Sequence, residues 1–228
     1  MKNFEIIEKF DVQGYFYKHD NLVFRRFLEI KKKTIDIKEN DLSVIMMNPG
    51  SSKPKNIIDE NDIKSWDGFL DNFVKVQPDE TQIQIMKIME NCKFNYAKIV
   101  NLSDIRIAKS DFFYLMLEKC LSGNCLLGNC SKKYDHSIFS EKNRRFLENY
   151  LSTKSIFILA WGVDKCLNDL SKQALTVLEK IYGKNIKKIG NKHEKIKNGY
   201  YHPFPPKESE QIKWFNEISN KIKEKIYL

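Results

Sequence analysis

The sequence contains no long apolar run, and this argues against a membrane-spanning helix. Such a helix needs about 20 consecutive apolar residues, and no run in the 228 residues approaches that length. The first ten residues, MKNFEIIEKF, also lack the apolar centre of a secretory signal peptide. We therefore expect a cytoplasmic protein with no membrane partner.

The chain also lacks internal repeats, low-complexity tracts and any linker long enough to separate two domains. Hydrophobic residues make up 42% of it, including 15 Phe and 10 Tyr, which is enough to fill a sizeable core. These features predict one domain over residues 1–228, in which 1–41 is an amino-terminal hairpin extension and 42–228 is the core. We expect it to be a monomer.

Cysteines are few and odd in number, with five in the chain, which argues against a disulfide framework. Cys120, Cys125 and Cys130 form a C-x4-C-x4-C pattern. With Cys92 or His136 as fourth ligand they could bind zinc or an iron–sulfur cluster. The spacing matches no common metal site, however, and reduced cysteine behaves as a small hydrophobe. The interpretation we favour is free, mostly buried cysteines, with no metal and no cofactor.

Positive charge is in excess, because 39 Lys and Arg outnumber 30 Asp and Glu and leave a formal charge of +9. Such a charge favours approach to a polyanion such as DNA, RNA or an anionic membrane surface. Much of the excess is lysine, which also accompanies an AT-rich genome. The charge alone is therefore weak support for a nucleic-acid partner.

Strand and helix patterns alternate along the chain. A hairpin is predicted in GYFYKHDNLVFRRFLEIKKK, and buried strands are predicted at 43–47, at 97–101 and in SIFILAW. Helices are predicted in DETQIQIMKIMENC, in KNRRFLENYLST, over 163–182, and after Pro205 and Pro206. The last helix should present one apolar face formed by Ile212, Phe215, Ile218, Ile222 and Ile226. This order predicts a three-layer α/β/α fold with a central, mainly parallel sheet.

Polar residues follow several of the predicted strands. Asn48 precedes Pro49 and Gly50 at the end of the first core strand, Asn101 ends the second, and His202 follows a short strand near the carboxyl terminus. Each has an ordinary explanation as a cap, a loop contact or part of a proline turn. In a parallel sheet, however, these strand ends share one edge. Together they predict a pocket with amide groups on one side and an imidazole on the other.

These segments resemble the uracil-DNA glycosylase superfamily. MNPGSS resembles the first motif of its mismatch-specific branch, where Asn-Pro-Gly replaces the Asp-Pro-Tyr of the classical uracil enzymes, and YYHPFPP resembles its second motif. KIVNLSDIR is similar to the strand whose terminal Asn contacts the extruded base, and the order and spacing agree from about residue 42 to 207. The run PDETQIQIMKI, KIVNLSDIR, AWG and HP is most similar to an uncharacterised bacterial family related to the superfamily.

The resemblance implies a DNA glycosylase that flips a pyrimidine out of the DNA and hydrolyses its N-glycosidic bond, leaving an abasic site. His202 would donate a hydrogen bond to O2 of the departing base, and Asn48 would hold the water through its side-chain oxygen. An amide cannot act as a general base near neutral pH. Asn101 would contact the Watson–Crick edge of the base, and Asp59 or Asp79 are possible carboxylates of the site.

The same resemblance extends to residues that would touch the base and the DNA backbone. Trp66 or Phe69 could stack on the base, although such residues are more often plain core aromatics. The proline-rich segment after His202 could wedge into the duplex, and nearby cations and hydroxyls could contact phosphates. The expected DNA-contacting residues are Ser51, Ser52, Arg106, Arg144, Phe204, Pro205, Pro206 and Lys207.

Gly50 departs from the classical uracil enzymes, which place a tyrosine against C5 of the pyrimidine. Without that wall, a base with a C5 substituent should fit, such as the bulky C5-modified cytosines that some viruses place in their DNA. A bacterium could use such an enzyme against phage. Two alternatives remain open: a non-catalytic nucleic-acid-binding protein of the same fold, and a hydrolase that acts on free nucleotides or nucleosides.

Overall fold

The computed structural model describes residues 2–19, 22–33, 38–55, 73–121, 136–152 and 154–227. Within these ranges eight strands form one sheet, in the order β4-β5-β1-β2-β6-β3-β7-β8. The strands are β1 (Phe10–His19), β2 (Leu22–Lys32), β3 (Leu42–Met46), β4 (Lys53–Pro54), β5 (Phe73–Gln77), β6 (Tyr96–Asn101), β7 (Ile156–Leu159) and β8 (Lys188–Ile189).

The sheet is mixed and has two halves. Strands β6, β3, β7 and β8 are parallel neighbours and form the half that the sequence predicts. Strands β2, β1, β5 and β4 add an antiparallel half. Only residues 20 and 21 connect β1 to β2, and so short a connection permits only an antiparallel pair. The α/β class is therefore confirmed. The antiparallel half of the sheet is larger than expected from the prediction of a mainly parallel sheet.

The amino-terminal hairpin is part of the central sheet, and the division of the chain at residue 41 stays a prediction. Strands β1 and β2 lie inside the sheet, between β5 and β6. Leu28 and Ile30 of β2 belong to the same buried cluster as Val44 of β3. Strand β5 is not predicted from the sequence, because its segment FVKVQ has only one fully buried side chain, Val76.

Helices cover both faces of the sheet. They are α1 (Asn3–Ile7), α2 (Glu80–Cys92), α3 (Ser110–Leu121), α4 (Arg144–Tyr150), α5 (Asn168–Tyr182) and α6 (Glu208–Tyr227). Buried side chains of α1, α2 and α6 share one apolar cluster with Leu42 and Val44, whereas those of α3, α4 and α5 share a second cluster with Ile45. Because alternate residues of a strand face opposite sides of the sheet, the two clusters lie on opposite faces.

Helix α6 buries a different stripe from the predicted one. Ile218 and Ile222 are buried as expected, but Ile212 and Ile226 are 55% and 44% exposed. Trp214 is buried together with Ile218 and Ile222. Residues four apart lie on the same side of a helix, so these three form the buried stripe. The indole Nε1 of Trp214 donates to the backbone oxygen of Tyr201 at 3.0 Å. The helix therefore supports the segment that carries His202.

A buried ion pair connects the hairpin to the loop that follows β6. Arg26 Nε lies 2.7 Å from Asp104 Oδ2, and both side chains are at most 2% exposed. Tyr17 donates its hydroxyl hydrogen to the same carboxylate oxygen at 3.0 Å, and Arg26 Nη1 donates to Asn143 Oδ1 at 3.0 Å. The network thus joins β1, β2, the loop after β6 and the turn before α4.

Removing the carboxylate charge should destabilise the protein strongly. We expect Asp104→Asn to lower the free energy of unfolding by about 3–5 kcal/mol, because Arg26 would remain buried without its counter-ion. Lys154→Ala is the control, since its ion pair with Glu39 is 78% and 64% exposed and should contribute no more than about 1 kcal/mol. Urea unfolding measures both values. Equal, small losses would contradict a structural role for the Arg26–Asp104 pair.

Candidate active site

A cleft of about 880 Å³ opens at the carboxyl edge of the parallel strands. Four of the segments that line it surround Asn48, Asp79, Trp161 and His202. These segments follow β3, precede α2, follow β7 and precede α6, respectively. Asn48 and His202, which are 154 residues apart from 202 − 48, therefore line one cleft.

The side chain of Asn48 has a fixed orientation. Its Nδ2 donates to the backbone oxygens of Ile107 at 2.7 Å and Ile105 at 3.3 Å. Because both partners are acceptors, the hydrogen-bond network assigns the nitrogen to that side of the amide. The Oδ1 atom is then the acceptor of this cleft-lining side chain.

The ring of His202 has a defined tautomer. The backbone N–H of Phe204 donates to Nδ1 at 3.2 Å, so the neutral ring carries its hydrogen on Nε2. Burial lowers the pKa of His202 to about 4, with a smaller opposing effect from that hydrogen bond. At neutral pH, His202 is therefore an uncharged donor through Nε2.

The segment before His202 is held at the end of β7 by paired backbone hydrogen bonds. The N–H of Gly162 donates to the oxygen of Tyr200 at 2.7 Å, and the N–H of Tyr200 donates back to Gly162 at 3.2 Å. Gly162 has a φ of +105°, a conformation that side chains disfavour. This turn directs the chain from β7 toward the cleft.

The carboxylate of Asp79 lies close to Gly50. It caps the first turn of α2, where Oδ1 accepts from the N–H of Gln82 at 3.0 Å. Its Oδ2 lies 3.5 Å from the place that a Cβ atom on Gly50 would occupy. Burial raises the pKa of Asp79, and the nearby positive charge of Arg25 opposes the rise. Asp59, the other carboxylate considered from the sequence, lies outside the described residues.

Arg25 is a site residue that the sequence does not identify. It borders the cleft yet is only 1% exposed. Its Nε and Nη1 donate to no acceptor among the described residues, and burial lowers the pKa of the guanidinium to about 10. Gln82, also 1% exposed and in the cleft wall, has an equally unpartnered amide. The only sequence signal is a pair of arginines inside the otherwise apolar segment VFRRF.

Asn101 is at the predicted strand end but does not line the cleft. It is fully buried, and it pairs in register with Met46 of β3. Neither its Oδ1 nor its Nδ2 has a partner in the described part of the chain. The structure therefore places it next to the cleft-lining strand, enclosed by protein.

The predicted DNA-contacting residues divide into two groups. Ser51, Phe204, Pro205 and Pro206 line the cleft, and the side chain of Lys207 beside them is 77% exposed. The others do not line it: Ser52 is 2% exposed, Arg106 Nε donates to the Ser52 oxygen at 3.1 Å, and Arg144 begins α4. The side chain of Ser52 is thus buried, and its contact with DNA stays a prediction.

Several sequence-based expectations concern residues outside the described ranges. Trp66 and Phe69 are among them, as are Cys125, Cys130 and the side chain of Cys120. Where the chain is described, Cys92 and Cys166 are free, and no group of three or more His, Cys, Asp or Glu could hold a metal. The absence of a metal centre from the three-cysteine segment stays a prediction.

Charges around the cleft are mixed. Arg25 is accompanied by four carboxylates that also border the cleft, from Asp79, Glu80, Asp164 and Glu210.

Among the described residues, no helix is both long enough and apolar enough to span a bilayer. The chain matches no protein-family model, and comparisons with curated proteins and with solved structures gave no match either.

The depressed pKa of His202 predicts a pH dependence of stability. Between pH 6.5 and 4 the unfolded chain binds a proton that the folded protein excludes, so acidification over this window should destabilise the fold, by up to about 3 kcal/mol. We expect His202→Gln to weaken this dependence. The measurement is urea unfolding at several pH values, with His193→Gln as control because His193 is outside the cleft. An unchanged profile for His202→Gln would contradict the burial effect.

Proposed function

We propose that the cleft binds an extruded pyrimidine nucleotide of DNA and hydrolyses its N-glycosidic bond. The observation that carries this proposal is that one cleft is lined both by Asn48, whose Oδ1 remains as an acceptor, and by His202, whose Nε2 is a neutral donor. These are the polarities needed to hold a water and to stabilise a departing base.

The reaction separates charge, because breaking the bond leaves positive charge on the sugar and negative charge on the base. The Nε2–H of His202 donates to O2 of the base and strengthens this hydrogen bond as the negative charge develops. A neutral donor suits this role, since its low pKa keeps its form constant over the physiological range. It stabilises the base anion without having to transfer a proton.

The water is positioned by Asn48. Its Oδ1 accepts a hydrogen bond from the water and directs a lone pair toward the sugar C1′. Because the sugar becomes strongly electrophilic as the base departs, a positioned neutral water suffices, and Asn48 need not take up its proton. The water oxygen bonds to C1′ while the C1′–N bond breaks with its electron pair on the base. The proton that the bound water then loses passes through solvent to the base anion, which leaves a hydroxyl at C1′ and a neutral free base.

The likeness to uracil-DNA glycosylases supports the proposal through the order of its motifs. Asn48 follows β3, Asn101 ends β6, and His202 follows the segment tied to β7, so all three are at the carboxyl edge. The proposed fold is accordingly glycosylase-like, with an antiparallel hairpin added to the sheet. The exposed Lys207 and the net charge of +9 favour a DNA substrate.

Loss of the proposed catalytic groups should affect turnover more than binding. We expect His202→Ala to reduce single-turnover base release by about 10²–10³-fold and to leave DNA affinity nearly unchanged, because its hydrogen bond strengthens only in the transition state. Asn48→Ala should also be damaging. Released bases are measured by mass spectrometry after incubation with DNAs that carry natural base modifications, and His193→Ala is the control outside the cleft.

Three outcomes separate the candidate functions. Base release that depends on His202 supports the glycosylase. Salt-dependent DNA binding without abasic sites would instead indicate a non-catalytic binding protein. Release from mononucleotides alone would indicate a nucleotide or nucleoside hydrolase.

Gly50 should control access of C5 substituents to the cleft. We expect Gly50→Tyr to suppress release of a C5-enlarged pyrimidine, because its ring would occupy the place of the substituent. Gly50 has a φ of +65°, so any side chain there adds strain of about 1–2 kcal/mol. Gly50→Ala is the matched control, since it carries the same strain without the ring. If both variants lose activity equally, the ring is not what matters.

A further inference from the structure

Two charged side chains in the cleft take no part in the proposed cleavage. Arg25 is 1% exposed, and its Nε and Nη1 are unpartnered among the described residues. Asp79 turns its Oδ2 toward Gly50 while Oδ1 caps α2. Both side chains line the cleft.

Arg25 differs sharply from its neighbour in β2. Arg26 donates three hydrogen bonds, to Asp104, Asn143 and Tyr17, at 2.7, 3.0 and 3.2 Å. Among the described residues no acceptor meets Nε or Nη1 of Arg25, although a buried charge without hydrogen bonds destabilises a fold. A group retained at such a cost, in the wall of a cleft, fits a ligand that supplies the missing acceptor. Gln82 adds an unpartnered donor and acceptor to the same wall.

Asp79 is placed to contact one edge of the base. In the proposed binding mode Gly50 faces C5 of the pyrimidine, and Asp79 Oδ2 lies 3.5 Å from the position that a Cβ atom on Gly50 would occupy. The substituent at C4 is next to C5 on the ring. An aspartate accepts hydrogen bonds from the amino group of cytosine, whereas it would repel the carbonyl oxygen that uracil and thymine carry at C4.

We propose that Asp79 and Arg25 form a recognition pair that selects a cytosine-type base with an oxygen in its C5 substituent. This inference rests on the proposed function, because it uses the same orientation of the base. Asp79 accepts from the C4 amino group, and Arg25 donates to the substituent oxygen. A hydroxyl suits the pair better than a carboxylate, since Asp79 would repel a second negative charge.

Selectivity of two single-residue variants tests the pair. The substrates are DNA duplexes with one cytosine, 5-methylcytosine, 5-hydroxymethylcytosine or 5-hydroxymethyluracil, assayed for base release and for equilibrium binding. Asp79→Asn should lower the preference for 5-hydroxymethylcytosine over 5-hydroxymethyluracil by about tenfold or more, and Arg25→Met should lower the preference for 5-hydroxymethylcytosine over 5-methylcytosine by a similar factor.

Folding of these variants is controlled within the chain. Asparagine caps helices as well as aspartate does, so Asp79→Asn should preserve the start of α2. Asp164→Asn is the matched control, because Asp164 also borders the cleft and accepts from a turn N–H, that of Cys166, at 2.8 Å. It should leave both preferences unchanged. Arg25→Met should not reduce resistance to urea, whereas Arg26→Met should reduce it.

The outcomes distinguish failure of this inference from failure of the proposed function. Base release with unchanged preferences in Asp79→Asn and Arg25→Met would overturn the recognition pair and leave the glycosylase intact. Absence of base release, with binding preferences that shift as described, would overturn the glycosylase and support the pair. Unfolding of Arg25→Met at the low urea concentration expected for Arg26→Met would make Arg25 structural and also overturn the pair.

Discussion

The buried ion pair between Arg26 and Asp104 is the interaction on which the cleft depends most. It fastens the loop after β6 to the hairpin, with the two charged atoms 2.7 Å apart and excluded from solvent. That loop presents the backbone oxygens of Ile105 and Ile107 to the amide of Asn48. If this loop rotated, the Asn48 amide would lose its two acceptors, and its oxygen and nitrogen could exchange positions. The direction of the acceptor in the cleft is thus set by a pair of charges that never touches a substrate.

The two proposed catalytic groups are supported from opposite faces of the sheet. Tyr17, which joins the ion-pair network behind Asn48, belongs to the cluster that α3, α4 and α5 cover. The segment that carries His202 is held by Trp214, which belongs to the cluster of α1, α2 and α6. Each group therefore has its own support, and the cleft lies where the two meet. A substitution in one cluster should disturb one catalytic group more than the other.

Sequence patterns predict the parts of this structure that depend on local composition. The apolar runs of β3, β6 and β7 are visible because helices cover both faces of these strands, so that successive residues are buried. The position of the hairpin inside the sheet is not visible, since it depends on pairing between β2 and β6, far apart in the chain. Asp79 resembles an ordinary helix cap, and Arg25 differs from Arg26 only through tertiary partners. Adjacent strand residues face opposite sides, which is why one arginine meets Asp104 and the other borders the cleft.

A cleft that lacks a steric wall needs another means of rejecting ordinary bases. Space alone discriminates weakly, because an added or missing methyl group changes transition-state binding by only about 1–3 kcal/mol. Buried polar groups discriminate more strongly, since a base that fails to satisfy them leaves a donor or acceptor unpaired away from water. With Gly50 open, an unpartnered Arg25 beside Asp79 would serve this purpose at a cost to folding. In the proposed function, these two features select the base together. The open space at C5 admits a substituent, and the buried charge near it requires one.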